Sequence, residues 1–118
     1  SSAASDVYKR QTMGIGWLDF VKGFQKAMNE KDFSDLDVVL DDIFMWHSTE
    51  LNKPATREWA LTTDMRMGDG TVFYENDEIL VGRHSVTANG ETFEVFGVAH
   101  VNSNRVYSYH HLRAARAE

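Results

Sequence analysis

Asp41-Asp42-Ile43-Phe44-Met45-Trp46-His47 follows a long helical pattern and reads as the entry into a β-strand. The Asp pair is too polar for a strand core and belongs at its mouth. The apolar and aromatic run after it suits a pleated, half-buried surface. His47 then places a titratable imidazole deep on a strand with no other polar side chain until Ser48. Histidine is the side chain whose unperturbed pKa lies nearest neutrality, so proton chemistry is most accessible there.

Upstream, Trp17, Phe20, Val21, Phe24, Ala27 and Met28 recur at helical spacing, with Lys22, Gln25, Lys26 and Glu30 on the opposite side. This predicts an amphipathic helix of about four turns. Asp32 is an N-cap for a second, shorter helix carrying Phe33, Leu36 and Leu40 inward. Downstream, 50–53 reads as a loop, and Pro54 suits the first turn of a third helix. That helix is expected to reach about Met65 with Trp59 inward, ended by Gly68-Asp69-Gly70. The remainder reads as strands over 71–75, 79–87, 92–102 and 105–113. Asn89-Gly90 is a type I′ hairpin signal, and Asn102-Ser103-Asn104 makes the last turn. Helices followed by a meander mean an α+β fold with helices on one face of an antiparallel sheet.

The 118 residues, 42% hydrophobic and 12% aromatic, are enough for one globular domain with a real core. A net charge of −6 argues against a nucleic-acid partner, since phosphate binding needs concentrated Lys and Arg. Without cysteine there is no disulfide framework and no thiolate catalysis. No apolar run approaches a membrane span and no signal peptide is visible, so a cytoplasmic protein is expected. Asp6-Val7-Tyr8-Lys9-Arg10-Gln11 matches the in-frame translation of a common transposon-end sequencing adapter. Residues 1–12 are therefore read as a non-native or disordered tail of a metagenome-derived sequence, and 13–118 as the single domain.

The helix, the Asp pair and the strand ending in His47 together resemble the nuclear transport factor two-like superfamily. Within it the SnoaL-like and ketosteroid isomerase branch, which includes polyketide cyclases, is the most similar. The resemblance runs from about Trp17 to Arg113 and implies a cone-shaped barrel. In it a curved antiparallel sheet wraps around the long N-terminal helix, with two further short helices and a pocket at one end. It aligns His47 with the catalytic carboxylate of the isomerases, putting Met45 and Ile43 on the same face. Strand alternation then brings Leu80, Gly82, His84 and Val86 inward, as well as Val95, Gly97, Ala99 and Val101. On the last strand it brings in Tyr107, Tyr109, His111 and Arg113. Trp17, Phe24, Met28 and Trp59 would supply apolar wall. The isomerases' oxyanion donors, a tyrosine and a protonated Asp, fall at Phe24 and Gly97, which cannot donate. Their activity in its exact form is thereby excluded.

These residues imply a cofactor-independent acid–base enzyme acting on a small, largely apolar molecule. His47 would be the general base, with Tyr109, His111 or His84 as acid or oxyanion donor. Isomerisation, dehydration, cyclisation and epoxide hydrolysis are the reaction types that the resemblance offers. Asp64 and Arg66 resemble the Asp–Arg–Asp set of limonene epoxide hydrolases only weakly, because they follow a helix and not a central strand. The alternative is a non-catalytic binding or association module of the same fold. A metal on His47, His84 and His111 is disfavoured, since none of the three sits at close ligand spacing. A homodimer through the outer sheet face, carrying Phe96 and Val98, is expected.

Overall fold

The structure, a computed structural model, describes residues 14–47 and 49–115. The tail assigned to residues 1–12 lies outside the described residues.

Helix α1 (Trp17–Glu30) buries one face: Trp17, Phe20, Val21, Phe24, Ala27 and Met28 are each at most 3% exposed. Each large apolar side chain so buried contributes about 1.5–3 kcal/mol, which fixes the helix to the sheet. Its first turn is held by carboxylates. Gly16 N donates to Asp19 Oδ2 (2.9 Å) and Trp17 N to Glu75 Oε2 (2.8 Å), negative charge at the positive end of the helix. Lys31 closes the other end in the left-handed conformation (φ 58°). Helix α2 (Ser34–Val39) is a short connector whose Leu36 is fully buried. Asp32 Oδ1 accepts from Ser34 N (3.0 Å) just before its start. Helix α3 (Lys53–Thr62) begins as expected, with Asn52 Oδ1 accepting from Ala55 N (3.0 Å) and Pro54 in the first turn. The Lys31 ammonium donates to Thr63 O (2.6 Å) at its end.

The strands are β1 (Leu40–Trp46), β2 (Thr49–Glu50), β3 (Arg66–Glu75), β4 (Ile79–Ala88), β5 (Glu91–Asn102) and β6 (Arg105–Ala115). They lie in the order β2-β1-β6-β5-β4-β3, an open sheet. The expected meander is present from β3 to β6, antiparallel throughout. Asn89 and Gly90 both have positive φ (53° and 80°), as a type I′ turn requires. Ser103 and Asn104 (53° and 62°) repeat that geometry between β5 and β6.

The structure departs from the sequence reading in four places. The sheet is mixed, because β1 pairs with β6 in parallel. The two strands are far apart in the chain, so no hairpin dictates their direction. Second, Gly68-Asp69-Gly70 does not end the third helix but lies inside β3. A Cβ on Gly70 would meet Arg83 O at 3.0 Å and the Val21 methyl at 3.1 Å, so its absence lets β3 lie against both α1 and β4.

Third, the inward set on β1 is shifted by one residue. Phe44 is fully buried while Ile43 is 57% exposed. Pairing is irregular between Leu40 and Met45, where five steps along β1 match two along β6. Asp41 Oδ1 accepts from Ile43 N (3.2 Å) within that stretch, a local bond that competes with the ladder and bends the strand. Fourth, Tyr107 points outward. Val101 pairs with Val106 and His100 with Ser108, leaving Tyr107 as the unpaired residue of a bulge, 40% exposed. β4 and β5 carry no such irregularity toward each other, and Leu80, Gly82, His84, Val86, Val95, Gly97, Ala99 and Val101 are all buried.

Candidate functional site

Between the helices and the inner face of the sheet lies a cavity of about 300 Å³. Helix α1 contributes Phe20, Val21, Phe24 and Met28, and α3 with the segment after it Trp59 and Met65. The strands contribute Trp46, Met67, Val86 and Val95 together with four polar side chains, His84, Tyr109, His111 and Arg113. A mainly apolar wall with a few converging polar groups is the form of a small-molecule site.

The polar groups are organised by β6. Alternation sends Tyr109, His111 and Arg113 to the same face, running from the core to the rim. Tyr109 is 3% exposed and sits over Gly97. An ideal Cβ on Gly97 would lie 2.6 Å from both the Tyr109 hydroxyl and its ring. The place of a side chain at 97 is thus taken by a phenol from the neighbouring strand. The Tyr109 hydroxyl lies 3.3 Å from His84 Nε2, and His84 Nδ1 lies 3.3 Å from Ser85 O. A carbonyl only accepts, so Nδ1 carries the His84 proton, and Tyr109 donates to Nε2. Burial lowers the His84 pKa and raises that of Tyr109, so both groups are neutral at pH 7.

His111 is different. Its Nδ1 is buried and has no hydrogen-bond partner among the described residues. Burial first, then the charges of His47, His84 and Arg113, push its pKa down to about 4. Its ring lies 4.9 Å from Trp46 and 4.6 Å from His47, centroid to centroid.

Of the residues expected to form the site, His84, Tyr109, His111, Phe24, Met28, Trp59, Val86, Val95 and Arg113 come together around the cavity. Trp17 and Leu80 do not: both are fully buried behind its wall. The Trp17 indole donates to Arg83 O (3.2 Å) and packs against the rings of His84 and Tyr109. Met45 is displaced by the shift in β1, which presents Trp46 instead. His47 lies past the end of β1, in a turn with φ 56°, its N–H donating to Tyr109 O (2.9 Å). It stands behind His111, with His110 5.5 Å away, and does not line the cavity. Sequence reasoning missed Trp46, Met65 and Met67 as wall residues, and read the helix stripe that holds Phe20 and Val21 as core first and ligand wall second. No three acidic or imidazole side chains among the described residues are placed to hold a metal ion.

Gly97→Ala is expected to push the Tyr109 ring aside and break its bond to His84. Overpacking of this kind costs about 1–3 kcal/mol. Urea unfolding measures the loss, and a changed His84 Nε2 chemical shift identifies its cause.

No protein-family model and no curated protein matches the sequence. Solved structures do match. One is an NTF2-like protein of unknown function from Cytophaga hutchinsonii (17% identity, 80% of this chain and 87% of that chain, TM-score 0.64). Another is an LEH-like epoxide hydrolase from M. tuberculosis (14% identity, 81% and 80% coverage, TM-score 0.59). A third is IdmH, a proposed polyketide cyclase from Streptomyces antibioticus (12% identity, 80% and 89% coverage, TM-score 0.58). At these identities the likeness speaks for architecture: the chain has the nuclear transport factor 2-like fold, an α+β cone with its cavity under the long N-terminal helix.

Proposed function

We propose that the chain is a cofactor-independent acid–base enzyme acting on a small, largely apolar molecule held in this cavity. The observation that carries the reading is His111, a neutral imidazole at the cavity wall with a buried and unpartnered Nδ1. A buried polar atom left without a partner costs about 1–3 kcal/mol. A ligand group would recover that cost. The base role expected at His47 passes to His111, because His47 stands outside the cavity. His111 takes a proton from carbon α to a carbonyl, or from water. The Tyr109 hydroxyl stands above Gly97, the position that aligns with the isomerases' Asp; its O–H points to His84 Nε2 at rest and must turn from it to donate to a ligand. Asp64 and Arg66 are exposed and away from the cavity, which favours proton transfer over epoxide hydrolysis.

One observation favours the alternative, a binding module without chemistry. A pKa of about 4 makes His111 a weak base, and proton abstraction works best near ambient pH. His111→Gln separates the two. An enzyme loses about 10²-fold or more of turnover while keeping ligand affinity. Affinity lost together with an absence of turnover in the parent supports the binding module instead.

We also propose a homodimer through the outer sheet face. Phe73 and Phe96 stack there at 6.3 Å, 56% and 45% exposed, with Leu112 78% exposed on the strand beside Phe96. A contiguous apolar patch of this kind marks an interaction surface. Sedimentation is expected to give a dimer, and Phe96→Glu a monomer. A monomer for the parent chain at high micromolar concentration refutes it.

A further inference from the structure

We infer that the ligand of this cavity is an anion, a small monocarboxylate with an apolar body, and that Arg113 at the rim receives its charge. The inference rests on the cavity being a small-molecule site and goes on to name the ligand's chemistry.

The first observation is the sign of the cavity. The chain as a whole is acidic, with 18 Asp and Glu against 12 Lys and Arg. Yet among the described residues no Asp or Glu lines the cavity, and its ionisable groups are two histidines, a tyrosine and an arginine. The two imidazoles and the phenol are neutral at pH 7, so the charge these groups bring to the cavity is that of Arg113, and it is positive. A cationic ligand would meet no carboxylate there.

The second is the state of Arg113. Its guanidinium carbon lies 5.0 Å over the Phe93 ring. It forms no ion pair among the described residues, whereas Arg83 on the other side of the sheet is matched by Glu94. Stacking occupies the face of a guanidinium and leaves the N–H groups at its edge free. Those edge donors are the ones that fit a carboxylate bidentately.

The third is alignment. Arg113 and His111 lie on one face of β6, about 7 Å apart along the strand, with Tyr109 one step deeper. Arg113 offers its edge donors and His111 a ring nitrogen, Nδ1, with no protein partner, whereas the Tyr109 O–H is already given to His84. A carboxylate at the rim therefore leaves the apolar body against Phe24, Trp46 and Trp59. It also places the carbons nearest the carboxylate beside His111. At about 30 Å³ per water-sized group, the cavity of about 300 Å³ takes roughly ten non-hydrogen atoms.

Octanoate and 1-octanol are matched probes of that size, and Trp46 and Trp59 in the wall report binding through their emission. Octanoate is expected to bind at least about tenfold more tightly than 1-octanol at low salt, with the advantage shrinking as salt is added. Arg113→Gln abolishes the advantage and leaves 1-octanol affinity unchanged, which also shows that the variant is folded. Arg113→Lys retains part of it. If 1-octanol binds as tightly as octanoate, or if Arg113→Gln keeps the preference, the anion assignment is overturned while the small-molecule site stands. If neither probe binds, both fall.

Discussion

Phe44→Ala is expected to lower folding stability by about 3–5 kcal/mol in urea unfolding, while Ile43→Ala changes it by no more than about 0.5 kcal/mol. Phe44 is fully enclosed between β1 and the helices, so truncation removes its transfer free energy and leaves a void. Ile43 is 57% exposed on the other face and leaves none. The two residues are adjacent and equally apolar, so composition does not separate them. Parity along the strand alone does, and one step of slip would exchange their roles. A larger cost for Ile43 than for Phe44 would refute the register of β1. It would also remove Trp46 from the cavity wall.

The His111 imidazole is expected to titrate near pH 4 by NMR. That is roughly 300-fold weaker proton affinity than an ordinary imidazole. Burial is the first cause, so His47→Gln, which removes one neighbouring charge, raises the midpoint but does not restore the ordinary value. Stability follows. Between about pH 6.5 and pH 4 the unfolded chain binds the proton that folded His111 refuses. Stability is therefore complete above about pH 6.5, falls as the pH drops through that window, and levels off below pH 4. His84, also lowered by burial, acts in the same direction. For a partly exposed imidazole the His111 share is on the order of 1–2 kcal/mol. His111→Gln is expected to flatten this part of the curve. A midpoint near the ordinary imidazole value would contradict the enclosed, cation-flanked site.

The parts of this fold that could be read from residues are those where period and turn agree. The stripe from Trp17 to Met28 specifies α1 because nothing interrupts its helical spacing. Asn89-Gly90 fixes the β4–β5 register because both residues accept positive φ, and the regular pairing on either side carries that register to the strand ends. Parity failed where an odd number of extra residues entered a ladder, three in β1 and one at Tyr107. The irregularity in β1 and the bulge at Tyr107 each shift alternation by one, and neither Ile43 nor Tyr107 is unusual in type for a strand. Gly68 and Gly70 resemble a turn in sequence because glycine has two uses, bending a chain and letting another approach. Here β3 takes the second, and Met67 went unread as a cavity residue with it. Trp46 follows from the parity of β1. The pairing of His84 with Tyr109 was not legible, because it depends on what Gly97 lacks.

The parallel seam between β1 and β6 is also a joint between distant parts of the chain. From β3 to β6 every strand pairs with its immediate successor in the chain, so those ladders form through short loop closures. β1 has only the two-residue β2 as a local partner, and its long partner β6 is the last strand. The edge made of β1 and β2 therefore joins the meander through one irregular ladder between distant parts of the chain. Trp46 closes the cavity from this edge, and His47 sits at its turn. The cavity wall that carries Trp46 is thus joined to the sheet across most of the chain's length, while the walls from β3 to β6 are joined by neighbours in sequence.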